Sequence, residues 1–88
     1  MKETTIDCSL VRSREDLHRL FQESLCFPEW YGSNLDALWD IATTFDADMT
    51  LIYPGDMLNA LTVYGCKIIS TLYEAAEKNP NFVFRIEN

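Results

Sequence analysis

The spacing of apolar residues changes repeatedly along the chain, and each change marks an element. Near the start, Thr4, Ile6, Cys8 and Leu10 alternate with polar or small residues, a period of two that predicts a strand over TTIDCSL. Leu17, Leu20, Phe21 and Leu25 then recur at helical spacing as far as Pro28, and Ser13 with Asp16 three residues on resembles a capping box; an amphipathic helix follows. After PEWYG, Ser33 or Asn34 can cap a second helix whose core face is lined by Leu35, Leu38, Trp39 and Ala42. MTLIYPG is a short apolar run stopped by Pro54 and Gly55, which predicts a strand buried on both faces. Asp56 is placed to cap a short helix. Beyond Gly65, the residues Ile69, Leu72, Tyr73 and Ala76 form another helical stripe, ended at KNPN because Pro80 cannot continue the ladder. FVFRI predicts the last strand.

Strands separated by helices favour a parallel sheet with right-handed crossovers, since a hairpin cannot join parallel neighbours. The expected fold is α/β: a three-stranded parallel sheet covered by about four helices. No repeat, low-complexity tract or Pro/Gly/Ser linker interrupts the 88 residues, so one domain over residues 1–88 is expected.

Charge narrows the choice of partner. Fourteen Asp and Glu face seven Lys and Arg, a formal charge of -7. That sign repels nucleic acid and anionic lipid, and the expected partner is basic. Cys8, Cys26 and Cys66 show no CxxC or Cys/His spacing, and an odd number cannot close among themselves; buried, reduced thiols of a cytosolic protein are the expectation. Neither a signal segment nor a membrane-length apolar run is visible, so a soluble cytoplasmic chain without membrane contact is expected.

Enzyme chemistry lacks its parts. His18 is the only histidine, which excludes a two-histidine acid/base pair and leaves no metal cluster; it reads as an ordinary surface or boundary residue. No phosphate-cradling glycine loop is present, and no cofactor is expected.

The carboxylates and rings around the second helix carry more information. Asp36 and Asp40 stand four apart, share a helix face and flank the apolar stripe. A like-charge pair at this spacing costs an isolated helix about 0.2 to 0.5 kcal/mol. Asp36 in the first turn recovers a similar amount from the helix dipole, whereas Asp40 lies too deep for much of that gain. Trp30 and Tyr31 precede the helix in a loop with Pro28 and Gly32. Exposed there, they would supply contact area beside carboxylates aimed at arginine or lysine; turned inward, they would cover the core edge.

The segment FPEWYGSNLDALWD, with RSREDLHRLF upstream and LYEA downstream, resembles the barstar family of intracellular ribonuclease inhibitors in register over nearly the whole chain. The resemblance implies a small parallel sheet with packed helices, and a second helix and preceding loop that plug a nuclease active site with acidic side chains in place of substrate phosphates. By motif position, Asp40 is the central carboxylate and Asp36 its companion. Trp30 stands where the family has a stacking tyrosine, and Tyr31, Gly32, Asn34 and Trp39 match the segment that shapes the contact. Glu74 matches a further acidic contact. Thr44 departs from a glycine at the end of the second helix and Phe45 from a tryptophan. The implied partner is a basic, secreted-type barnase-like ribonuclease or a toxin nuclease domain, with the chain as an immunity protein. Two other readings compete: a non-inhibitory acidic module for another basic protein, and a small hydrolase using Asp36 and Asp40 as an acid/base pair.

Overall fold

A computed structural model describes residues 3–87. Strand β1 (Glu3–Asp7) runs through a 3-10 turn (Cys8–Leu10) to helix α1 (Arg14–Leu25); helix α2 (Leu35–Thr44) leads into strand β2 (Ala47–Ile52). Helices α3 (Pro54–Leu61) and α4 (Val63–Lys78) then precede strand β3 (Phe82–Glu87). The strands lie in the order β1-β2-β3, all parallel, with Ile6 opposite Leu51 and Leu51 opposite Ile86. The expected three-stranded parallel sheet and four helices are therefore present.

This strand order dictates where the helices go. Both crossovers step one strand in the same direction, and two right-handed connections of that kind lie on the same side of the sheet. The side chains agree: Ile6, Met49, Leu51, Phe82 and Phe84 point into the core, whereas Thr5 and Arg85 on the opposite face are exposed. At its centre β2 is nonetheless buried on both faces, as its apolar run suggested, because Thr50 between Thr5 and Arg85 is buried as well. On the uncovered face the Arg85 guanidinium reaches from β3 to Asp48 of β2 and Glu3 of β1, tying the three strands together.

The helix starts follow local chemistry. The Ser13 hydroxyl accepts the Asp16 N–H at 3.1 Å, and the Asn34 side chain accepts the Ala37 N–H at 2.8 Å, so each cap satisfies a donor that the helix leaves unpaired. Asp56 does not cap α3. It sits in the first turn behind Pro54, with Tyr53 at the cap position. Helix α4 begins before Gly65, which lies inside it, buried against Leu58 of α3; a Cβ there would come within 3.2 Å of the Leu58 side chain.

Two core faces are rotated from their expected positions. In α2 the fully buried residues are Leu38, Ile41 and Ala42, with Leu35 and Trp39 half-buried at the rim. In α4 they are Ile68, Leu72 and Ala75; Ile69 and Ala76 are half-buried, and Tyr73 lies outside, edge-on to Phe84 at 4.9 Å. Both Ile68/Leu72 and Ile69/Tyr73 have helical spacing, and the stripe without a hydroxyl is the one that fills the core. Of the thiols only Cys8 is buried; Cys26 and Cys66 are exposed, which corrects the expectation for two of the three.

Candidate protein-binding site

Helix α2 packs on α4 and exposes its remaining side. Asp36 and Asp40 both lie on that side, as their spacing required, and both are exposed. Among the described residues, the ion pairs join Arg19 to Asp16 and Arg85 to Glu3 and Asp48. Neither Asp36 nor Asp40 belongs to one, and neither does Glu74, exposed on α4. Carboxylates without internal partners remain available to cations from outside.

The loop before α2 is built to a definite shape. Ser33 adopts left-handed backbone (φ 54°) immediately before the Asn34 cap, and the Asn34 amide also reaches back to the Gly32 carbonyl at 3.3 Å. Gly32 passes so close to the first turn of α2 that a Cβ would stand 3.2 Å from that of Ala37. Glycine at this position therefore sets the approach of loop to helix.

The two rings of the loop part company. Trp30 is 68% exposed, the largest exposed ring of the chain, and stands edge-on to Phe45 with centroids 6.5 Å apart. Phe45, at the C-cap of α2, thus brings the far end of the helix and the loop into one aromatic surface. Sequence reasoning named Phe45 only as a departure from the family pattern; the pairing depends on residues 15 positions apart, which leave no local signal. Tyr31 is turned inward and only 6% exposed, so it supports the loop from beneath and offers little contact surface. Thr44 is exposed, but its hydroxyl donates to the Asp40 carbonyl at 2.7 Å, and the Thr43 hydroxyl donates to that of Trp39 at 2.7 Å. Both bonds close the last turn of α2.

His18 is the main correction. It is fully buried, not a surface or boundary residue: Nδ1 lies 2.5 Å from the Tyr31 hydroxyl and Nε2 lies 2.7 Å from that of Tyr64. Burial lowers its pKa below the ordinary histidine range, against a smaller opposing effect of Glu15. Burial likewise raises the pKa of the Tyr31 phenol, with the neighbouring Tyr64 adding to the shift. The pKa of Tyr64 is also raised by burial, opposed by the Arg14 guanidinium, which stacks 4.1 Å from its ring centroid. Tyr64 and Arg14 line a cleft of about 440 Å³ together with Glu15, Asn34 and Asp36, at the N-terminal end of α2.

This combination of a one-sided parallel sheet, an acidic second helix and a capped aromatic loop has known counterparts. The model of the Barstar (barnase inhibitor) family matches residues 1–87, and the chain belongs to that family. A Bacillus subtilis (strain 168) protein named "Putative ribonuclease inhibitor YrdF" is 35% identical over 81 residues, covering 89% of each chain. The family is one of inhibitors, not of enzymes. Among the described residues, no helix is long and apolar enough to cross a membrane, and no group of three or more His, Cys, Asp or Glu could hold a metal ion.

Proposed function

We propose that this protein inhibits a basic ribonuclease by seating the exposed side of α2 and the preceding loop over the nuclease active site. Asp40 and Asp36 take the positions of substrate phosphates and accept charge-assisted hydrogen bonds from catalytic arginine, lysine and histidine. Trp30 stacks on a catalytic ring, extended by Phe45, while Glu74 and the rim of Trp39 widen the contact. Gly32, Asn34 and Thr44 keep the loop and helix ends in place. The partner is a barnase-like or toxin nuclease made by the same cell, and the inhibitor acts in the cytoplasm as an immunity protein.

The observation that carries this reading is the pair of exposed carboxylates on α2 with no cation bound to them among the described residues, beside an exposed Trp30–Phe45 pair. Free, the arrangement leaves the repulsion between the carboxylates and the exposed rings uncompensated; against a cationic cleft both become favourable. Titration of a basic barnase-like ribonuclease with the protein should abolish RNA cleavage at an equimolar ratio. Binding without loss of cleavage would instead support the non-inhibitory module.

A further inference from the structure

We infer that His18 is a positioning residue for the binding loop: as a neutral ring it accepts the Tyr31 hydroxyl at Nδ1 and so holds the Trp30 segment in the conformation that meets the ribonuclease. The inference rests on the proposed inhibitory role for its consequence in binding, but not for its structural content.

Three segments meet at this ring. His18 comes from α1, Tyr31 from the loop before α2, and Tyr64 from α4. Proton positions follow from burial. Tyr31 is 6% exposed, and among the described residues its hydroxyl has one partner, His18 Nδ1. If that hydroxyl only accepted, its own proton would be buried without an acceptor. Tyr31 therefore donates, Nδ1 accepts, and the ring proton sits on Nε2, which donates to the Tyr64 oxygen. Tyr64 is half-buried beside the open cleft, so its own proton has room to reach water.

Protonation of the ring acts selectively on this chain. Imidazolium has two donors and no acceptor, so the Nε2 bond to Tyr64 survives while the Tyr31 hydroxyl loses its acceptor. Tyr31 follows Trp30 directly, and its N–H closes a turn onto the Pro28 carbonyl at 3.0 Å. Releasing the phenol thus frees the segment that presents Trp30. Glu15 of α1 favours the cation, while the charge of Arg14 is directed at Tyr64, on whose ring it stacks. Asp36 of α2 lines the same cleft as Tyr64 but makes no hydrogen bond to the ring, and Phe21 meets the ring with an apolar edge at 6.3 Å. Burial decides the balance in favour of the neutral form.

Two measurements test this. In the free protein, nitrogen NMR of His18 at pH 7.5 should show the proton on Nε2 and a bare Nδ1, and the Trp30 indole signal should shift as His18 titrates. In inhibition assays, His18→Gln keeps one acceptor and one donor but cannot titrate. As pH is lowered from 7.5 through the His18 titration followed by NMR, the wild type should lose up to about tenfold more affinity than His18→Gln, the effect expected when one buried hydrogen bond is lost. Titration of the nuclease itself weakens both proteins equally and drops out of the comparison. Tyr31→Phe should bind more weakly at pH 7.5 and lose the excess pH dependence. A proton on Nδ1, or identical pH dependence in wild type and His18→Gln, would overturn the inference. Absence of any inhibition at pH 7.5 would instead defeat the functional reading, and the NMR result would still decide the role of His18.

Discussion

The side-chain amide of Asn79 donates to the carbonyl of Phe45 at 3.0 Å and also reaches that of Ala42 at 3.1 Å. A helix leaves its last carbonyls unpaired, and here a residue just beyond α4 satisfies two of them at the end of α2. The Asn79 side-chain oxygen is used as well, accepting the Asn81 N–H at 3.0 Å. One buried amide thus fixes the corner that carries Phe45 to the start of β3.

Replacing Asn79 by Ala leaves two carbonyls and one N–H without partners in a site that is 8% exposed. The expected loss is about 2 kcal/mol, read as a lower denaturant midpoint at unchanged slope. A loss below about 0.5 kcal/mol, the usual surface effect, would mean that water takes over these bonds.

Stability should depend on pH through His18. Its pKa in the folded state is lowered from an unfolded value of about 6.5, so the unfolded chain binds the proton more readily. The contribution of the neutral ring is complete above pH 6.5 and declines as pH falls from there toward the lowered value. Denaturant melts at pH 7.5 and pH 5 should therefore differ more for wild type than for His18→Gln; equal differences would show that other groups set the acid response.

Thiol labelling separates the cysteines. Cys26 and Cys66 are exposed and should react with a thiol reagent in the native protein, whereas Cys8 should react only on unfolding. Burial, with help from Asp7 and Asp56, pushes the Cys8 thiol up to about 11, and little nucleophilic thiolate forms there at neutral pH. Three equally fast thiols under native conditions would place Cys8 at the surface.

Thr62 joins α3 to α4 at φ 53° and ψ -121°, a region that a β-branched residue enters only under strain. Its side chain makes no capping hydrogen bond to α4, so little is lost with it. Thr62→Gly should raise stability by about 1 kcal/mol, strain relief exceeding the greater entropy of unfolded glycine. A lower melting temperature would show that the hydroxyl or methyl group is needed at this junction.

Changes of apolar period located the three strands and helices α1, α2 and α4, because each amphipathic element buries a face of its own, whereas α3 was expected only from Asp56, which does not cap it. The Ser13 and Asn34 caps were legible for a similar reason: donor and acceptor lie three residues apart. The shared exposed face of Asp36 and Asp40 followed from helical spacing, whereas their choice as contact residues came from the family resemblance. What stayed hidden depends on distant pairs. His18 meets partners 13 and 46 residues away, and nothing beside Leu17 distinguishes a histidine that crosses to α4 from one that faces water. In α4 the sequence offers two adjacent apolar stripes, and only packing against α2 and the sheet selects the one through Ile68 and Leu72. Similarly, nothing within MTLI shows which of its faces meets the helices; strand order and packing put Met49 and Leu51 there and Thr50 on the other face.

The central claim is that α2 keeps Asp40 for a partner and not for the fold. Asp40→Ala removes repulsion with Asp36 and adds helix propensity, so the free protein should gain a few tenths of a kcal/mol, about 0.2 to 0.5. In the complex the same change leaves the partner's cations buried without a counter-charge, a loss of about 2 to 5 kcal/mol. The decisive measurement is titration of a basic ribonuclease with wild type and Asp40→Ala, paired with denaturant melts of both free proteins. The account predicts inhibition weakened by at least about thirtyfold together with unchanged or slightly higher stability. Inhibition equal to wild type would move the contact surface off α2 and contradict it.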